Sequence, residues 1–97
     1  MATDEVLVVV EIETVFDGEE LQAYQVAARQ QLKERGGKVL GRGGTTFEGD
    51  RRHGPLLVQV WPSEAAFREW QASEAYRPLL DRRRRAAKLR IAIVPTA

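Results

Sequence analysis

The stretch Val6-Leu7-Val8-Val9-Val10-Glu11-Ile12 decides the fold. Its β-branched residues favour an extended strand, and successive residues of a strand point to opposite faces. Val6, Val8, Val10 and Ile12 then share one face and Leu7 and Val9 the other, so the strand is apolar on both sides. Leu89 to Val94 repeats this near the far end of the chain, with Leu89, Ile91 and Ile93 opposite Ala92 and Val94. Strands of this kind need cover on both faces.

Working outward from the first strand, Asp17-Gly18-Glu19-Glu20 places a capping carboxylate three residues before a Glu, a helix-start signal. Leu21, Tyr24, Ala28 and Leu32 follow at spacings of three and four, which is one face of an amphipathic helix. Gly36-Gly37 ends that helix. Lys38 to Phe47 reads as a second strand weakened by Gly41, Gly43 and Gly44, Glu48 to Pro55 as a polar turn, and Leu56 to Trp61 as a third strand closed by Pro62. Ser63 caps a second helix with Ala66, Phe67 and Trp70 on one face. Ser73 and Pro78 break it, and a short helical stretch covers Glu74 to Ala87 before the last strand. The order β-α-β-β-α-β is the ferredoxin-like arrangement of the α+β class. Right-handed crossovers put both helices on one face of a four-stranded antiparallel sheet. Two helices cannot cover both apolar faces. A second copy of the same sheet is the economical cover, which predicts a homodimer joined through the open face.

Composition narrows the function classes. The chain has 97 residues, enough for one domain spanning 1–97. Fifteen Lys and Arg balance fourteen Asp and Glu to a net charge of +1, so charge selects no partner. The absence of cysteine excludes disulfides, a thiolate nucleophile and Cys-ligated metal. The longest unbroken apolar run is Val6 to Val10, far short of the roughly 20 residues of a membrane span. No basic-then-apolar leader is visible. A cytoplasmic protein without a membrane partner is expected.

Several residues stand out as candidates for a site. Phe67 and Trp70 occur at core spacing, which burial alone explains, and aromatics so placed can also wall a cleft. Tyr76 lies past the helix break, where its hydroxyl needs a partner, protein or ligand. Arg90 is a charge within an apolar strand, to be paired with Glu11 or Glu13 or to clamp an anion. Alternation puts Arg90 opposite Leu89, Ile91 and Ile93, so it shares a cleft with Trp70 only if its own face turns toward the helices. Arg42 precedes Gly43-Gly44, where missing side chains let a ligand or another backbone approach. The ligand-binding candidates are therefore Arg42, Phe67, Trp70, Tyr76 and Arg90, with Tyr76 and Arg90 the candidates for chemistry. Gly41-Arg42-Gly43-Gly44 lacks the Lys-Ser/Thr of a phosphate loop. His53, the single histidine, has no partner at metal-ligand spacing. It reads as a solvated loop residue whose pKa Arg51 and Arg52 lower. No metal or cofactor is expected. Arg77, Arg82 to Arg85, Lys88 and Arg90 concentrate positive charge, but residues 1–20 carry seven acids and no Lys or Arg. Pairing with those acids or solvation accounts for the run, and nucleic-acid binding is not expected, since aromatic interleaving is missing.

Gly36-Gly37, Arg42-Gly43-Gly44, Glu48-Gly49-Asp50, Trp61-Pro62-Ser63, Ala65-Ala66, Trp70, Ser73-x-Glu-x-Tyr76 and the closing Arg-rich helix together resemble the domain of unknown function 1330 family, from about Val6 to Val94. That resemblance implies the dimeric α/β-barrel superfamily, in which two ferredoxin-like sheets pack face to face. Trp70, Tyr76 and Arg90 are similar in order and spacing to a trio in cofactor-independent monooxygenases of the superfamily. Those enzymes place an Asn where this chain has Ala66, which has no donor for a carbonyl or a peroxy adduct. The expected function is therefore binding of a small, partly apolar molecule that is anionic or carbonyl-bearing, with metal-free isomerase or cyclase chemistry if it is an enzyme. The alternatives are a non-catalytic dimerisation or interaction module and a cofactor-independent monooxygenase.

Overall fold

Alternation along the first strand sets the layers. In the computed structural model, which describes residues 4–96, β1 (Val6–Val15) buries Val6, Val8 and Val10 while Leu7 and Val9 stay half-exposed. The chain continues through α1 (Gly18–Glu34), β2 (Lys38–Gly43), β3 (Leu56–Trp61), α2 (Glu64–Gln71), α3 (Arg77–Ala86) and β4 (Ala87–Pro95). The four strands form one sheet in the order β2-β3-β1-β4, and every neighbouring pair is antiparallel. This is the expected ferredoxin-like α+β fold. No helix among the described residues is long and apolar enough to cross a membrane.

The core lies between Val6, Val8 and Val10 and the helix layer, where Ala28 and Leu32 of α1, Phe67 and Trp70 of α2, and Leu79 of α3 are buried. Register carries the opposite face across the sheet. Leu7 lies between Val60 and Val94, and Val9 between Val58 and Ala92. These six residues form one apolar band that the chain leaves partly exposed.

The caps stand where the sequence signals them. The Asp17 side chain accepts from the Glu20 amide at 3.1 Å, and the Ser63 hydroxyl from the Ala66 amide at 3.0 Å. Each cap satisfies an amide that the first helical turn leaves without a partner.

Three boundaries differ from expectation. The break falls at Ser73 as expected, but the later helix begins at Arg77 and not at Glu74, because the Ser73 hydroxyl donates to the Trp70 carbonyl at 2.7 Å and accepts from the Tyr76 amide at 3.2 Å. Those groups are thereby taken from a continuous ladder. Pro78 then sits in the first turn of α3, where its missing N–H costs nothing. The second strand stops at Gly43 and does not run to Phe47, because Gly43 and Gly44 hold φ of 91° and 92°. Only glycine enters that region without strain, so this pair turns the chain, and no other backbone approaches within 4 Å of a would-be Cβ at Gly43. Lastly, β1 and β4 are longer than the apolar stretches and pair out to Val15 and Ala87, past a register shift between Ile12 and Thr14.

The loop over 44–55 returns to the sheet at Gly54. Its amide donates to the Glu11 carboxylate at 3.0 Å, and the Ile12 amide donates to the Pro55 carbonyl at 2.9 Å. A Cβ on Gly54 would overlap the carbonyl oxygen of Ile12.

Candidate functional site

A cleft of about 300 Å³ opens between the helix layer and the sheet, the lower end of the usual size for small-molecule sites. The strands contribute Val10, Leu57, Gln59, Leu89 and Ile91, and the helices contribute Leu21, Tyr24, Ala28, Phe67 and Trp70. Arg42 closes the β2 side and Arg83 the α3 side, with Pro55 and Leu56 at the base of the returning loop.

Aromatic packing builds one wall. Trp70 stacks on Trp61 with ring centres 5.2 Å apart, and Phe67 meets Trp61 edge-on at 5.5 Å. Trp61 is wholly buried and directs its indole N–H to the Gln59 Oε1 at 2.8 Å. Trp70 donates to the Gln31 Oε1 at 3.0 Å, while the Gln31 Nε2 donates to the Ala75 carbonyl. Phe67 and Trp70 are therefore both core residues and cleft walls.

Tyr76 has no exposed surface and does not itself line the cleft. Its ring lies 4.7 Å from that of Trp70, and its hydroxyl is 2.5 Å from that of Tyr24. Arg83 donates to the Tyr76 oxygen at 2.8 Å and to the Gln71 Oε1 at 3.1 Å. No carboxylate among the described residues lies within ion-pair distance of Arg83. Burial, with Tyr76 alongside, pushes the Tyr24 hydroxyl far above the ordinary tyrosine range, against an opposing pull from Arg83. Tyr24 thus stays protonated at any physiological pH.

Arg90 is elsewhere. It pairs with Glu11 across the β1–β4 ladder, on the face opposite Val10 and Ile91, and its guanidinium bonds the Glu13 carboxylate at 2.9 Å with 72% of its side chain exposed. The Trp70, Tyr76 and Arg90 trio is not assembled. The guanidinium beside Tyr76 belongs to Arg83, within the run expected to be solvated or acid-paired. Of that run, Arg82 fits the expectation, bonding Glu20 at 2.9 Å. Ala66 packs against the core and adds no polar group.

His53 differs from expectation in its protonation. Its Nδ1 donates to the Gly54 carbonyl at 2.7 Å, and backbone carbonyl bonds, that of Gly54 foremost, raise its pKa. A carbonyl acceptor favours the protonated ring and outweighs the opposing cost of desolvation.

Tyr24, Gln59, Gln71 and Arg83 were not among the sequence candidates. The signals were present: Tyr76, Leu79, Arg83 and Ala86 recur at helical spacing, and Gln59 interrupts an otherwise apolar strand.

Comparison with solved structures supports the fold alone, since identities are low. A protein of unknown function from Rhodopseudomonas palustris superposes with a TM-score of 0.77 at 20% identity, covering 97% of this chain and 83% of that one. SnoaB, a cofactor-independent oxygenase from Streptomyces nogalater, gives 0.72 at 17% identity, covering 98% and 95%. A dimeric ferredoxin-like protein of unknown function from Jannaschia sp. CCS1 gives 0.68 at 8% identity, covering 95% and 99%. No curated protein matches. A family model does match, over residues 5–97, and the chain belongs to the family described as Domain of unknown function (DUF1330).

Proposed function

We propose that the protein is a homodimer, each protomer of which binds one small molecule in the cleft between helices and sheet. The molecule has an apolar body and an anionic or carbonyl-bearing head. The observation that carries this reading is an open, mostly apolar cleft lined by three arginines, Arg29, Arg42 and Arg83, none paired with a carboxylate among the described residues. A cleft with apolar walls lined by charge of one sign concentrates ligands of the opposite sign. Phe67 and Trp70 would flank the body, and Arg42 would face the open end. Tyr76 would act through Tyr24, and Arg90 is assigned no part.

Capture is favoured over turnover. Proton transfer beside a carbonyl needs a base within reach, and no carboxylate or imidazole among the described residues lines the cleft. Oxygenation needs the same base, to ionise the substrate before oxygen adds, and Ala66 adds no polar group that could serve. A purely structural module would seal the cleft with its own side chains, which this chain does not do.

The dimer reading rests on the exposed band of Leu7, Val9, Val58, Val60, Ala92 and Val94. A contiguous apolar patch on a sheet face marks an interaction surface. A dimeric ferredoxin-like neighbour of similar length supports it.

Calorimetric titration with benzoate and acetophenone tests the cleft. Saturable binding of one molecule per protomer is expected, abolished by Ile91→Trp, which fills the half-exposed mouth. Binding of neither compound, or binding that survives Ile91→Trp, would overturn the proposal.

A further inference from the structure

We infer that the ligand head is a deprotonated oxygen (phenolate, enolate or carboxylate) and that Tyr24 is the terminal donor of a chain running from Arg83 through Tyr76. The inference rests on the cleft-binding reading and specifies its chemistry.

An indole N–H and a guanidinium can only donate. Trp61 therefore requires the Gln59 amide to turn its oxygen inward, and Arg83 requires the same of Gln71. The oxygen of each glutamine is thus held by a partner within the protein, with one of its two lone pairs engaged. Each leaves its Nε2 donors unpaired among the described residues, on a side chain that lines the cleft. Gln59 is 94% buried, and no buried side-chain donor among the described residues lacks a partner, so its free Nε2 is the part of the side chain that remains open to solvent.

The tyrosine pair resolves the same way. Tyr76 is fully buried, and its oxygen already accepts from Arg83. Were Tyr24 to donate to Tyr76, the Tyr76 proton would have no acceptor among the described residues, an arrangement that buried hydroxyls avoid. Tyr76 therefore donates to Tyr24, and the Tyr24 proton is left for the cleft that Tyr24 lines. A cation at the head of a hydrogen-bond chain strengthens each donor along it. Gln59, Gln71, Tyr24 and Arg83 thus all present protons. Such a set suits a group that only accepts, and it penalises a head that must itself donate.

The test uses a chromogenic phenol, 4-nitrophenol, and its neutral ether 4-nitroanisole, whose apolar bodies match. At a pH where the phenol ionises, the phenolate should bind at least about tenfold tighter than the ether, the worth of one charge-assisted hydrogen bond. Its ionisation, read from the absorbance of the bound form, should fall by about one pH unit. Tyr24→Phe and Tyr76→Phe should each bring the two affinities close together and abolish the ionisation shift, while ether binding persists and reports an intact cleft. Equal affinities with an unshifted ionisation in the parent protein would overturn this inference and leave the cleft reading standing. A phenolate preference that survives both tyrosine variants would overturn the assignment to Tyr24. Failure of both probes to bind would overturn both readings together.

Discussion

Gly54→Ala tests how the returning loop is fastened to the sheet and, with it, one wall of the cleft. The added methyl would occupy the position of the Ile12 carbonyl oxygen. Both sides of that contact are backbone, so no rotamer change relieves it, and the loop must lift from β1. Lifting breaks the bond from the Gly54 amide to the Glu11 carboxylate and the bond from the Ile12 amide to the Pro55 carbonyl. A charge-assisted bond is worth about 1.5–3 kcal/mol and a neutral one about 0.5–1.5, so a loss of about 2–4 kcal/mol is expected. For a domain of this size that lowers the melting temperature by roughly 10–30 °C. Urea unfolding measures the free energy, and hydrogen exchange at the Ile12 amide reports the local bond. Benzoate affinity below the transition should also fall, because Pro55 and Leu56 line the cleft. Gly18→Ala is the control, since nothing lies within 4 Å of its would-be Cβ, and it should leave stability nearly unchanged. A Gly54→Ala protein as stable as the parent, with Ile12 still protected, would refute the reasoning.

Three further outcomes are expected. Light scattering should give twice the protomer mass, and Val9→Asp should dissociate or unfold the protein, since an unanswered charge in a buried interface costs about 3–5 kcal/mol; a parent protein that is monomeric at micromolar concentration refutes the dimer. Arg90→Gln should cost less than about 1 kcal/mol, because its ion pair with Glu13 is largely solvated, and should leave cleft binding unchanged; a large loss of benzoate affinity would return Arg90 to the site. Binding to mixed-sequence DNA or RNA should be weak and vanish near about 0.2 M salt, since Arg82 is held by Glu20 and Arg83 turns into the cleft; tight, salt-resistant binding lost in Arg84→Ala with Arg85→Ala would contradict this.

Local rules were legible in the residues themselves. The two-sided β-branched strands, the Asp17 and Ser63 caps and the Ser73 break each act over a few residues, through alternation or a side chain reaching its own backbone. From them follow the element order, the ferredoxin-like class and the apolar open face. Phe67 and Trp70 as inward-facing aromatics followed from helical spacing in the same way.

Tertiary structure alone decided which charge meets which aromatic. Arg90 and Ile91 are adjacent in sequence, yet strand parity sends them to opposite faces, and the direction of that parity depends on which face the helices choose. Arg83 reaches Tyr76 because seven residues make two helical turns, so a guanidinium from an apparently solvated run arrives beside a buried hydroxyl. Tyr24 and Tyr76 are 52 residues apart and come together only when α1 and the start of α3 settle on one sheet. Caps and strands are set by neighbours along the chain; the cleft and its donors arise where separate elements share a face, and that sharing exists only once the layers have packed.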